Sequence, residues 1–201
     1  MKTVSSITFA VQAFVTLLVI FDPPGATPIF LALVSDKSER ARRRLAWQAA
    51  GVSLFVIASF ALFGRLILDY MNVSIEALQA AGGLLLLYVS LELLTGKGTE
   101  DAKAGTNVGM VPLGTPLLAG PGAIVATMIF VQQAHTPARV SGLIAAIIAV
   151  HLVIGLVLML STKVLSLIKE SGVTLLARIA GLLLAAIAVQ MLADAIKILA
   201  S

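Results

Sequence analysis

The chain has 201 residues, 59% of them hydrophobic and only 12% charged, against roughly 25% charged in an ordinary soluble domain, so a water-soluble fold is excluded. Its net charge of +4 would suit a nucleic-acid ligand, but the basic residues fall almost wholly in connections between apolar runs, where they report membrane orientation instead. Cysteine is absent, which removes disulfides and thiolate metal sites.

A stretch of about 20 apolar residues crosses the hydrocarbon layer. Six such runs are predicted, at 8–34, 45–64, 75–94, 108–131, 140–160 and 173–193. The first follows Lys2 in the manner of a secretion signal. However, no small-x-small cleavage site ends it, and Asp22-Pro23-Pro24 stands where one would be needed, so a retained span is expected. Proline lacks a backbone donor and clashes with the preceding turn, and glycine lowers helix propensity. Pro24-Gly25 therefore predicts a local unwinding of the first span. Beside it, Asp22 lies deep in the apolar run, where a charge costs on the order of 2.5–3.5 kcal/mol at the bilayer centre. Two compatible uses fit this acid. Asp22-Pro23 is a favoured start for a second half-helix, with Thr27-Pro28 repeating the device a turn later. Alternatively, the carboxylate is a ligand for a substrate ammonium group, a sodium ion or a proton.

The first connection carries Lys37, Arg40, Arg42, Arg43 and Arg44, the third Lys97 and Lys103, and the fifth Lys163 and Lys169. Lys2, Arg65, Arg139 and Lys197 fall on the opposite side. The positive-inside rule then puts the odd connections in the cytoplasm and both termini outside. Segments 65–72 and 163–172 are expected to lie along the two membrane surfaces. The third connection, TGKGTEDAKAGTN at 95–107, reads as a flexible linker.

The fourth run holds a second Pro-Gly step, Pro121-Gly122, 97 positions after the first. No acid stands beside it, so the half-helix starting over Gly120, Pro121, Gly122 and Ala123 presents backbone N–H groups and partial positive charge, which attract an anion. In the fifth span His151 is a candidate proton relay or a histidine bonded to a neighbouring helix. In the sixth, Arg178 snorkels to the cytoplasm, pairs with Glu76 or Glu92, or attracts anions. Gln79, Glu92 and Gln190 read as interhelical hydrogen-bonders, and Asp194 with Lys197 as a surface pair.

The halves align at an offset of 98: residues 81–94 read AGGLLLLYVSLELL and 179–192 read IAGLLLAAIAVQML, so that Gly83 meets Gly181 and Glu92 meets Gln190. Arg65 meets Lys163 at the same offset. Three spans per half make the second half enter from the opposite face, and paired interruptions at matching places point to a solute site between inverted repeats. The resulting hypothesis is a small zwitterion, its carboxylate at Gly120, Pro121, Gly122 and Ala123 and its ammonium group at Asp22 and the carbonyls around Pro23, Pro24, Gly25 and Thr27.

With Asp22-Pro23-x-Gly25-x-x-Pro28, the basic first connection, Gly82-Gly83, Gly120-Pro121-Gly122 and Arg178-x-x-Gly181-Leu182, the chain resembles the MarC family of bacterial inner-membrane proteins, the SnatA-type neutral amino acid transporters, over essentially its full length. The resemblance implies a six-span inverted-repeat transporter, some members of which move glycine, alanine or similar neutral amino acids. The family often has asparagine after the first motif's glycine, where this chain has Ala26, so a hydrogen-bonding side chain is missing from the implied site.

The expectation is thus an all-α membrane protein with one transmembrane domain over 1–201: repeat 1 at about 1–94, a linker at about 95–107 and repeat 2 at about 108–201. Its first and fourth helices are expected to be discontinuous. The expected activity is secondary transport of small polar solutes, neutral amino acids foremost, by alternating access in a bacterial or archaeal cell membrane. A LysE-type exporter, a passive channel and an intramembrane enzyme are the alternatives. No cofactor or metal is expected beyond sodium or a proton as coupling ion, with Asp22, His151 and Arg178 as the candidates to carry it. The partners are the solute, the bilayer and a second copy of the chain.

Overall fold

A computed structural model describes residues 5–95 and 118–200. These form α1 (Ser6–Phe21), α2 (Pro23–Leu33), α3 (Glu39–Met71), α4 (Ile75–Thr95), α5 (Pro121–Gln133), α6 (Pro137–Met159) and α7 (Ser161–Leu199). Five stretches are long and apolar enough to cross a membrane: Ser6–Leu31, Glu39–Met71, Ile75–Thr95, Pro137–Met159 and Ser171–Leu199. The 13 residues of α5 rise only about 20 Å, short of the ~30 Å hydrocarbon core. The rest of the predicted fourth run, 108–117, and the linker beyond Thr95 lie outside the described residues.

Two helices outrun the spans predicted for them. In α3, Ser38 caps the start by accepting from the Ala41 amide at 3.4 Å, and the helix runs 33 residues to Met71. It ends at Asn72, in the left-handed conformation with φ 53°. Segment 65–71, expected along the membrane surface, belongs to this rod, and so does the basic stretch Arg40–Arg44. Charge limits a membrane span but not a helix, and arginine and alanine are good helix formers. Likewise α7 runs 39 residues without interruption from Ser161, taking in the segment expected to lie flat.

Helices α4 and α7 form the most extensive pairing, brought together by glycines. A Cβ placed on Gly83 would lie 3.0 Å from the Ala188 carbonyl oxygen and 2.9 Å from Leu192; one on Gly181 would lie 3.1 Å from the Ser90 carbonyl oxygen and 3.1 Å from Leu94. Each contact becomes the other when residue i is exchanged for i+98, the reciprocity of a two-fold contact. Helix α3 meets α6 in the same way, with Ser53 hydrogen-bonded to His151 98 positions on. Nearby, Gly155 leaves room for the Trp47 ring. Two further pairs of contacts match: α2 packs on α7 as α5 packs on α4, and α2 on α6 as α5 on α3.

A buried cluster of Phe9, Leu17, Phe30, Ile57, Ile154 and Leu158 fills the space among α1, α2, α3 and α6. Outside it the helices turn Phe55, Tyr70 and Leu182 outward, at 73%, 93% and 62% exposure. Acyl chains are as apolar as leucine, so cohesion depends on close packing at small residues.

Candidate functional site

Helical geometry is interrupted after Phe21 at one residue. Asp22 has φ 40° and ψ 65°, a left-handed conformation that aspartate tolerates better than most residues. Its N–H donates to the Leu18 and Val19 carbonyls, both at 3.2 Å, and its carbonyl accepts from Ala26 at 2.9 Å. The departure thus precedes the expected Pro24-Gly25 step. A proline disfavours the α conformation in the residue before it, whereas Pro23 and Pro24 fit the first turn of α2. Pro24 and Pro28 withdraw the N–H groups that the Ile20 and Pro24 carbonyls would take in a continuous helix. The fully buried Thr27 hydroxyl donates to the Pro23 carbonyl at 2.8 Å.

The Asp22 carboxylate lies against the Gly25 amide in the first turn of α2, without the full geometry of a capping bond. Its Oδ1 is shut off from solvent and has no hydrogen-bond partner among the described residues, and its Oδ2 lies where a side chain on Gly25 would begin. The two uses read from the sequence thus stay compatible, Oδ2 facing the start of α2 and Oδ1 unpaired. A carboxylate with bare carbonyls beside it is a cation-seeking surface.

At the second Pro-Gly step Gly120 is extended, with φ −63° and ψ 161°, and Pro121 opens α5 with no side-chain cap; the expected half-helix before it lies outside the described residues. The Ala123 and Ile124 amides both donate to the Gly120 carbonyl, at 3.0 and 3.2 Å. Pro121 has no N–H, so among the described residues the Gly120 and Gly122 amides are the donors left at this helix start. Gly122 also has a packing role, because a side chain there would collide with Leu86. Among the described residues nothing lies within 4 Å of a Cβ placed on Gly120.

Phe21 and Ala26 beside the first interruption share one buried cluster with Leu118, Ala119 and Ala123 beside the second. His151 adjoins the same place, its ring 5.1 Å from that of Phe21 and edge-on to it. The Ile147 carbonyl, 2.7 Å from Nδ1, can only accept, so Nδ1 carries the proton and Nε2 accepts from Ser53 Oγ at 3.2 Å. Ser53→Ala should therefore leave a buried nitrogen unpaired, at a cost of about 1–3 kcal/mol. The purified variant is expected to melt about 2–4 °C lower for each kcal/mol; an unchanged midpoint would mean that the hydroxyl does not serve His151. Arg178 stands apart, exposed on α7, and pairs with neither Glu76 nor Glu92 among the described residues.

A cavity of about 360 Å³ opens between α1, α4, α5 and α7. Its polar lining is Gln12, Thr16, Gln79, Gln133, Gln190 and Asp194, and Ile129, Phe130, Ile187 and Met191 are among its apolar walls. Gln79 donates to the Met191 carbonyl at 3.2 Å and Gln190 to Asp194 Oδ1 at 2.9 Å. Asp194 thus takes an amide one turn earlier in place of the expected Lys197. Sequence reasoning passed over Gln12, Thr16 and Gln133; polarity within an apolar run was the available signal. No proposed contact residue of either interruption lines this cavity, but Ala126 does, one turn beyond Ala123. Thr16 lies six residues, about 9 Å of helix rise, before Asp22.

The family model described as MarC family integral membrane protein matches residues 7–200. A UPF0056 membrane protein of Methanocaldococcus jannaschii is 34% identical over 200 residues, covering 94% of this chain and 96% of the relative. The UPF0056 membrane protein YvbG of Bacillus subtilis is 30% identical, with 94% of each chain covered. YhcE of Escherichia coli is 29% identical, with 92% and 90% covered. No solved structure matches significantly.

Proposed function

The chain belongs to the MarC family of integral membrane proteins, and from that premise we propose that it is a secondary transporter of small polar solutes, with neutral amino acids as the leading class. In this reading the two halves are inverted three-helix repeats, the first and fourth helices are discontinuous, and the solute is held between the interruptions. It is a carrier and not an enzyme, set in the cell membrane of a bacterium or archaeon with both termini outside.

What supports the reading is that the break at Asp22 and the helix start at Gly120-Pro121 border one buried cluster, in a fold where the Gly83 and Gly181 contacts and the Ser53–His151 bond relate residues 98 positions apart. Non-helical backbone at membrane depth is tolerated only where it is buried in protein or lines a cavity. At the first interruption the carboxylate and bare carbonyls suit an ammonium group or a coupling cation. At the second the helix start suits a carboxylate. Alternating access then follows from rocking one repeat against the other about the shared axis, exposing the same site to each side in turn.

Counterflow tests this. Proteoliposomes loaded with unlabelled alanine are expected to accumulate external radiolabelled alanine transiently above equilibrium. Equilibration with no overshoot marks a channel, and appearance of a chemically altered product marks an enzyme; either would contradict the carrier.

A further inference from the structure

Four of the chain's six glutamines line the one cavity between α1, α4, α5 and α7. They come from four different helices and from depths at which the surrounding residues are apolar. Gln12 lies six residues inside the start of α1, and Gln190 nine residues inside the end of α7, about 9 and 14 Å of helix rise. A carboxamide facing acyl chains would lose its hydrogen bonds to water with nothing in return. The side chains of Gln12 and Gln133 make no hydrogen bond with the described residues, and Asp194 has spent only Oδ1, on Gln190. The lining therefore holds unspent donors and acceptors, one formal negative charge and no basic residue. Arg139 is not in the lining but borders it, its guanidinium 5.4 Å over the Phe9 ring and donating to the Gln133 backbone carbonyl.

We propose that this cavity is an outer recognition site for a small solute bearing an ammonium group, which Asp194 and the carboxamide oxygens receive while the carboxamide N–H groups take the solute's acceptor atoms. The volume of about 360 Å³ falls at the small end of ligand pockets. The cavity opens on the side of the short turns 72–74 and 134–136, away from the basic connection before α3, which is the outer side by the positive-inside rule. Asp22 stands about two turns further along α1 than Thr16 of the lining. The choice of alanine as probe rests on the carrier reading above; the site itself rests on its lining.

The absence of cysteine makes single-thiol labelling a clean test. Ala186 is exposed within the lining, and Val189, on the same helix and 56% exposed, is outside it. A membrane-impermeant maleimide added to intact cells is expected to label Ala186→Cys and to spare Val189→Cys, whose thiol faces lipid. Millimolar alanine is expected to slow labelling of Ala186→Cys. Adding Asp194→Asn should raise the alanine concentration needed for protection by about tenfold or more, the worth of a hydrogen bond to a charged group. Equal labelling at the two positions, labelling that alanine does not slow, or protection indifferent to Asp194→Asn would each overturn the proposal. These readings need no transport. Protected labelling in a chain that shows no counterflow would overturn the carrier alone, and counterflow with unprotected labelling would overturn the outer site alone.

Discussion

Asp22→Asn is expected to leave the protein folded in the membrane and to lower solute exchange at least about tenfold, the loss that follows from removing a charge-assisted hydrogen bond. Stability and activity should part company at this position. Asparagine visits the left-handed conformation as readily as aspartate, and it removes a formal charge from an apolar span, so folding gains if it changes at all. Asparagine also keeps a side-chain oxygen to place beside the Gly25 amide in the first turn of α2. Gly25→Ala provides a second route to the same result, because its methyl group would occupy the place of Asp22 Oδ2 and push the carboxylate away. Detergent-purified Asp22→Asn should therefore melt at or above the wild-type temperature while its counterflow signal falls. Exchange at the wild-type rate, with unaltered dependence on pH and sodium, would remove Asp22 from the site.

Gly83→Val and Gly181→Val are expected to be the most damaging substitutions in the membrane core, each costing at least about 1–3 kcal/mol by overpacking. At both positions an added side chain meets a backbone carbonyl oxygen of the opposing helix, 3.0 Å away at Gly83 and 3.1 Å at Gly181. A flexible side chain could swing aside; a helical backbone cannot without separating α4 from α7. The control is Gly51→Val, on the outer face of α3 with nothing within 4 Å of the added carbon. It should be neutral, since valine is a slightly better helix former than glycine. Thermal aggregation followed by size-exclusion fluorescence separates the cases: early loss of the monodisperse peak for the first two, and a wild-type curve for Gly51→Val. Equal tolerance at Gly83 and Gly51 would mean that α4 and α7 do not meet as described.

The sequence revealed these glycines as an alignment and the structure as a contact. An offset of 98 that matched Gly83 to Gly181 on paper reappears as reciprocal contacts with Ala188 and Ser90, because a repeat that packs on its own copy must bury equivalent residues against each other. The first interruption was legible from proline chemistry, but its point of departure moved to Asp22, the residue preceding proline; at the second step the described residues show the start of α5 at Pro121. Helix ends were less legible. Hydropathy marks where charge begins, and both α3 and α7 continue through charged residues that favour helix. The cavity was the least legible feature, since Gln12, Gln79, Gln133 and Gln190 follow one another at intervals of 54 to 67 positions along the chain and converge only through the packing of four helices. Two of these had been read as interhelical hydrogen-bonders. Gln79 makes such a bond, to the Met191 carbonyl of α7, whereas Gln190 donates within its own helix, to Asp194 one turn on; both leave their amide oxygens available.

Whether the two interruptions hold the same molecule is tested most directly by alanine binding to the purified wild type, to Asp22→Asn and to Gly120→Ala. Among the described residues nothing lies within 4 Å of a Cβ placed on Gly120, and its φ of −63° is one that alanine adopts freely, so its substitution is expected to leave the fold intact and to intrude on a bound solute. If the solute spans both points, each variant binds alanine at least about tenfold more weakly than the wild type, with unchanged melting. Wild-type affinity in Gly120→Ala beside a loss in Asp22→Asn would contradict the shared site and leave the second interruption a matter of packing alone.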